Sequence, residues 1–175
     1  MKRLLASLGS LVFFVVAPVV VAGVVPWWLT GWEMRAVASP IRVLGVLLIG
    51  VGAVALVHSF VRFVVEGLGT PAPVAPTEHL VVGGLYRHVR NPMYVAVLAC
   101  VIGQALLLGQ IVLVGYAVVV GVAMAAFARW YEEPALARRF GDSYKMYRRN
   151  VPGWLPRIRP WEDGPREDQP SRPID

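Results

Sequence analysis

Three long stretches without a charged residue limit how this chain can fold. They cover residues 4–26, 43–61 and 93–127, and Gly109 and Gln110 near the middle of the third would form a turn between two helices. A helix needs about 20 apolar residues to cross about 30 Å of hydrocarbon. The sequence therefore predicts an all-α integral membrane protein with four transmembrane helices, at about 4–26, 41–66, 93–109 and 111–131.

The distribution of basic residues predicts how these helices are oriented. Only 16% of the residues are charged, against about 25% in soluble domains, and the net charge is +6. With four helices, the two termini and the loop at 66–92 share one side and carry most of the Lys and Arg, whereas the other side offers Arg35 and Arg42. The positive-inside rule then places both termini in the cytoplasm of a multi-pass cell-membrane protein.

The distribution of basic residues also indicates which binding partners to expect. Basic residues at a membrane surface are attracted to anionic lipids, so we expect membrane lipids, and no nucleic acid, as partners of this charge. The single cysteine, Cys100, lies within a predicted span, which leaves no disulfide and no Cys-based zinc site. We expect no metal.

The chain divides into three parts by composition. Residues 1–66 hold the first two helices, and residues 67–159 hold a Pro- and Gly-rich loop, the helical hairpin and a cytoplasmic amphipathic helix. Apolar residues recur at helical spacing in that last helix, with Arg and Lys between them and with Gly141 as a point of weakness: Leu136, Phe140, Tyr144, Tyr147 and Val151. Residues 160–175 are rich in Pro, Asp and Glu and are predicted to be a disordered tail.

Three groups of polar residues could form a site. His58, Arg62 and Glu66 are spaced by four on the second helix, where an ion pair at the membrane surface explains the last two and His58 is the member of interest. The second group is "EHLVVGGLYRHVRNPMY" at 78–94, and the third is "RWYEEPAL" at 129–136. A hairpin of helices three and four brings 90–94 close to 129–133, which makes either a polar pocket or a surface salt-bridge cluster.

These motifs carry a resemblance to a known family. "HLVVGGLYRHVRNPMYVA", followed one hairpin later by "EEPALARRFGDSYKMYRRNVPGWLPR", resembles the isoprenylcysteine carboxyl methyltransferase and phospholipid methyltransferase superfamily, over residues 79–156. Members carry a His-x-Leu-Val, Gly-x-Tyr, Arg-His-Pro-x-Tyr block, then a Glu-Glu pair and a Phe-Gly-x-x-Tyr-x-x-Tyr segment. This chain departs from the pattern at Asn91, where His is common, and at Ala96, where Gly is common.

The resemblance implies an integral membrane S-adenosylmethionine-dependent methyltransferase with a hydrophobic or lipid-like acceptor. It implies catalytic roles for Arg129, Glu132, Glu133 and the motif arginine Arg90. Glu132 or Glu133 would fix the polar end of the cofactor, and Arg129 would orient an anionic acceptor. The implied cofactor-binding residues are His79, Leu80, Val81, Val82, Tyr86, Asn91, Pro92, Met93, Tyr94, Glu132 and Glu133.

Several functions remain open at this point. A carboxylate acceptor is favoured because Arg129 lies at the site, and methyl transfer to it needs positioning but neither metal nor base. A phospholipid amine would first lose a proton, to Glu132, Glu133 or His79. A nicotinamide-dependent membrane reductase of related fold is a third reading, and a scaffold or small transporter without cofactor is a fourth.

Overall fold

The structure, a computed structural model, describes residues 16–67 and 79–162. Within these ranges all regular structure is helical, as predicted. Five segments follow one another along the chain: α1 (Val16–Thr30), α2 (Ser39–Gly67), α3 (Pro92–Leu108), α4 (Ile111–Phe127) and α5 (Glu133–Asn150). A π-helical turn, Ala128–Glu132, joins α4 to α5 without a break, so the described chain holds four helices in total.

Two of these helices are long and apolar enough to cross a membrane. They are α2 and the continuous helix formed by α4 and α5, whose uncharged part ends just before Arg129. The described part of α1 and all of α3 are apolar but shorter. The first half of predicted helix one, residues 4–15, lies outside the described residues.

Glycines let α2 and α3 pack closely against each other. A Cβ on Gly45 would lie 2.6 Å from the backbone nitrogen of Leu107, and one on Gly52 would lie 2.8 Å from Cys100 Sγ. Contacts this short exclude any larger side chain, so the two backbones approach directly, as small residues allow in membrane helix pairs. Cys100 is a buried packing residue in this contact.

The first helix ends later than predicted and is irregular after Pro18. It continues to Thr30 rather than 26, and Gly31 in the left-handed conformation ends it. The turn Val20–Val24 is π-helical, and its carbonyl groups are paired from other helices: Gln104 Nε2 donates to Ala22 O at 2.6 Å and Tyr116 Oη donates to Val21 O at 2.9 Å. Such cross-helix donors satisfy backbone groups that an irregular turn releases.

Two glycines lie where the sequence predicted a turn and a weak point in a helix. Gly109, at φ +68°, ends α3 and makes the expected turn into α4. Within α5, Gly141 has φ +53° and ψ −123°, so the helix is interrupted there. Only glycine adopts this conformation readily, and it lets the second half of α5 lie over the loop before α3.

Residues 160–162, which belong to the predicted disordered tail, are ordered in the structure. Trp161 is buried against Tyr144, Tyr147 and Val151, because the chain after α5 turns back over the loop before α3. The described structure therefore includes residues 160–162, and the rest of the predicted tail, 163–175, lies outside the described residues.

Candidate active site

Two side-chain pairs join the start of α3 to the end of α4. Tyr94 Oη donates a hydrogen bond to Glu132 Oε1 at 2.6 Å, and Arg90 Nη1 lies 2.9 Å from Glu133 Oε1. Both pairs bridge the open end of the hairpin, which is where the topology predicted that 90–94 and 129–133 would meet. Pro92 begins α3 here, and its missing N–H suits the first helical turn.

Glu133 is surrounded by three guanidinium groups from three parts of the chain. Arg90 contacts one carboxylate oxygen, while Arg129 at 3.3 Å and Arg148 at 3.2 Å contact the other. Glu133 and Arg90 are each only 14% exposed, whereas Arg129 is 63% exposed. One carboxylate cannot neutralise three cations, so this group presents surplus positive charge toward its exposed side.

Glu132 lies in a different environment from its neighbour. Burial raises the pKa of the Glu132 carboxyl, the hydrogen bond from Tyr94 lowers it, and the negative charge of Glu133 raises it, with a net upward shift. A carboxylate with a raised pKa is a better proton acceptor than an exposed one. Two adjacent glutamates thus have distinct properties, one paired with arginines and one held by a tyrosine.

The loop before α3 contains a 3-10 helix at Gly84–Arg87, and before it the side chains of residues 80–82 alternate between two packing surfaces. Val81 is buried with Tyr86 and Met93 against the α2 residues Leu56, Phe60 and Phe63. Leu80 and Val82 point the other way and pack against the cluster formed by α5 and the chain after it. His79, at the start of this segment, is exposed. The loop is therefore packed between α2 on one side and α5 on the other.

The segment 151–162, called the strap from here on, is hydrogen-bonded along the loop before α3. Arg90 N donates to Pro152 O at 2.9 Å, Arg157 N donates to His88 O at 3.0 Å, and Trp161 N donates to Arg87 O at 3.0 Å. The side chains add to this: Arg87 Nε donates to Trp161 O at 2.6 Å, and the His88 ring lies 2.9 Å from Arg157 O. Arg87 and His88 hold the strap, a role that their sequence context did not predict.

Asn91 also contacts the strap. Its backbone N–H and its side-chain Nδ2 both donate to Gly153 O, at 3.2 and 3.1 Å. The next residue, Trp154, stacks on Tyr94 with the ring centroids 6.1 Å apart and the planes inclined by 16°. Asn91 thus fixes the position of the strap where it passes the Tyr94–Glu132 pair.

Sequence reasoning missed Trp154, Arg148 and the hydroxyl groups of two tyrosines. Helical spacing assigns Tyr144 and Tyr147 to the apolar face of α5, but Tyr144 Oη accepts a hydrogen bond from Arg90 and Tyr147 Oη donates one to the backbone carbonyl of Tyr86 at 2.7 Å. Their helical spacing predicted burial and gave no sign of these bonds. Trp154 lies outside any periodic pattern, and although the resemblance covers both residues, it gave no sign that Trp154 contacts Tyr94.

His58, Arg62 and Glu66 of α2 contact the loop before α3. Arg62 and Glu66 form the predicted ion pair at 2.8 Å, and Glu66 Oε2 accepts a hydrogen bond from Gly83 N at 2.9 Å. Gly84, at φ +55°, lies against His58 and Arg62 so closely that an added Cβ would be 2.7 Å from His58 Nε2. This face of α2 therefore supports the Gly83–Gly84 turn.

The site residues fit a ligand that carries both signs of charge, as S-adenosylmethionine does. Glu132 offers a carboxylate to an ammonium or sulfonium group, and the arginines around Glu133 offer partners to a carboxylate. Arg90 Nε is buried without a hydrogen-bond partner among the described residues, so this guanidinium has a donor to spare. Tyr94 and Trp154 supply the aromatic surface.

Fold and site together define a class: an α-helical protein with membrane-length apolar helices and a charged, aromatic site at one end of them. Residues 40–143 match the family model described as phospholipid methyltransferase, and this is more than half of the chain. The chain belongs to the phospholipid methyltransferase family, whose members use S-adenosylmethionine.

A curated relative agrees with this assignment. The chain is 37% identical over 82 residues to a protein-S-isoprenylcysteine O-methyltransferase of Schizosaccharomyces pombe. The aligned part is 46% of this chain and 35% of that relative, so the chain spans about a third of the relative's length. No solved structure matches this chain.

Proposed function

We propose that this protein is a multi-pass membrane methyltransferase that transfers a methyl group from S-adenosylmethionine to a lipid-like acceptor. The observation that carries the proposal is the Tyr94–Glu132 hydrogen bond, with the Arg90–Glu133 pair beside it, across the open end of the α3–α4 hairpin. The bound cofactor supplies an electrophilic methyl group on a sulfonium. Family membership favours this reaction over the nicotinamide-dependent one and over a scaffold or transporter.

The chain's own residues position the reactants and set their charges. Glu132, fixed by Tyr94, faces a cationic group, and Arg90, supported by Glu133 and Tyr144, faces an anionic one. Pre-positioning of this kind contributes up to about 7–11 kcal/mol when two groups are well aligned. We also propose that the segment from His79 to Val82, with Tyr86, Asn91, Pro92 and Met93, lines the cofactor site, as the family resemblance implies.

A carboxylate is the favoured methyl acceptor. The surplus positive charge around Glu133, with Arg129 on its exposed side, suits an anionic acceptor that arrives from the membrane surface. The name of the yeast relative points to the same chemistry. The second candidate, a phospholipid amine, is supported by Glu132, whose raised pKa suits it to accept the amine proton, and by the family description.

All four helices cross the membrane in this proposal, with the site and both termini in the cytoplasm. The helix α3 has 17 residues, which is at the lower limit for a span. Two spans joined by the tight turn at Gly109 place the start of α3 and the end of α4 on one face of the bilayer. The excess of basic residues on that face supports its proposed location in the cytoplasm.

A labelled-methyl assay with extracted host lipids tests the function. The purified protein should transfer label from S-adenosylmethionine, and Glu132→Gln should lower the rate about ten- to hundredfold, because a hydrogen-bonded charge is lost from the site. Asp142→Asn, which alters a carboxylate that is 94% exposed, is the matched control and should leave the rate unchanged.

The labelled product separates the acceptors. A methyl ester releases labelled methanol in mild base, whereas an N-methyl group does not. Binding of a dinucleotide phosphate without binding of S-adenosylmethionine would contradict the proposed function.

A further inference from the structure

Trp154 contacts the side chain that fixes Glu132. Its ring stacks on the ring of Tyr94, and the Tyr94 hydroxyl donates to Glu132 Oε1 at 2.6 Å. Trp154 is half-buried and is not a member of the apolar clusters on either side of the loop. Its contact with Tyr94 therefore places it beside the charged site instead of in a packing layer.

The backbone beside Trp154 is held in place from the start of α3. Asn91 donates twice to Gly153 O, and Arg90 N donates to Pro152 O. A Cβ on Gly153 would lie 3.2 Å from Arg90 Nη2, so the strap passes directly over that guanidinium. Three consecutive strap residues are thus aligned with the two loop residues that precede α3.

We propose that Trp154 is a positioning residue, which holds the Tyr94 ring so that its hydroxyl directs the Glu132 carboxylate toward the cationic end of the cofactor. The proposal rests on the proposed function of Glu132. Stacking limits rotation of the Tyr94 ring, and an aromatic pair of this kind is equivalent to about a two- to tenfold change in an equilibrium constant. Asn91 and Gly153 act one step further away, by fixing where Trp154 lies.

A double-mutant cycle tests this role. Trp154→Ala should raise KM for S-adenosylmethionine about three- to tenfold, and Trp154→Phe should restore most of the loss because it keeps an aromatic ring. In a Tyr94→Phe background, which lacks the hydroxyl, Trp154→Ala should change KM less than about twofold, because there is no hydroxyl left to direct. Trp130→Ala, at an exposed tryptophan on the adjoining π turn, is the matched control and should not change KM.

The melting temperatures of the ligand-free variants provide a second measurement of the same double-mutant cycle. If Trp154 holds the hydroxyl bond in place, Tyr94→Phe should lower Tm less in the Trp154→Ala protein than in the wild type. Equal shifts in both proteins mean that Trp154 only packs on the ring.

The outcomes are distinct. Equal KM losses in both Tyr94 backgrounds, or a Trp154→Ala protein with the wild-type KM, overturn the positioning role while the methyltransferase function stands. A wild-type protein that neither binds S-adenosylmethionine nor transfers label overturns the proposed function, and the positioning role with it.

Discussion

The hydroxyl of Tyr147 links the amphipathic helix to the loop that forms the site. It donates to the Tyr86 carbonyl at 2.7 Å, and burial raises the pKa of Tyr147, so the hydroxyl keeps its proton and remains a donor. A buried carbonyl that loses its hydrogen-bond donor destabilises the folded state by the full desolvation free energy of that carbonyl. The sequence placed Tyr147 correctly on the buried face of α5, but periodicity reports burial and not which atom a hydroxyl reaches.

Tyr147→Phe should lower the free energy of unfolding by about 1–2 kcal/mol, since the ring still packs while the Tyr86 carbonyl is left unpaired. Chemical unfolding in detergent, followed by circular dichroism, measures the change. Tyr131→Phe, at an exposed tyrosine on the π turn, is the control and should cost less than about 0.5 kcal/mol. Equal losses in the two variants would show that the Tyr147 hydrogen bond contributes nothing.

At the scale of the helices, two glycines of α2 with one residue between them differ sharply in their surroundings. Gly52 faces α3, where an added Cβ would meet Cys100 Sγ at 2.8 Å and Ala96 O at 2.9 Å, whereas nothing lies within 4 Å of a Cβ on Gly50. Hydropathy predicted the extent of α2 and α3 within a few residues, because the lack of charge marks a span directly. It could not predict which glycines face a neighbour, since all faces of such helices are apolar.

Gly52→Ala should therefore destabilise the protein by about 1–3 kcal/mol through overpacking at the α2–α3 contact. Gly50→Ala is the matched control. It should leave stability unchanged or raise it slightly, because alanine favours helix over glycine by about 1 kcal/mol. Melting temperatures of the two purified variants measure the difference, and a Gly52→Ala protein as stable as the Gly50→Ala protein would contradict the close packing.

For the whole molecule, the helix topology predicts one set of contacts at the site, those across the hairpin, but not the contacts made by the strap. The hairpin alone brought Tyr94 and Arg90 to Glu132 and Glu133, as the sequence indicated. The strap reaches the same loop from residues up to 74 positions away, through backbone hydrogen bonds such as that of Trp161 N to Arg87 O. Such bonds do not depend on side-chain type, so no pattern of residues reveals them.

The proposed topology predicts opposite labelling of two engineered cysteines. Arg159→Cys, in the strap, should react with a membrane-impermeant maleimide only after the cells are permeabilised, whereas Met34→Cys, between α1 and α2, should react in intact cells. Native Cys100 is buried and should stay unlabelled in both cases. Labelling of Arg159→Cys in intact cells would contradict a cytoplasmic site.

The pairing of the strap with the loop before α3 has a consequence for biosynthesis. In the proposed topology, the loop and all four helices leave the ribosome before the strap does, so they can enter the bilayer while Arg87, His88 and Asn91 still lack the backbone partners that hold them. Membrane insertion and maturation of the site are then separate events in time. The site would be complete only after the strap has been synthesised, when the preceding helices are already in the membrane.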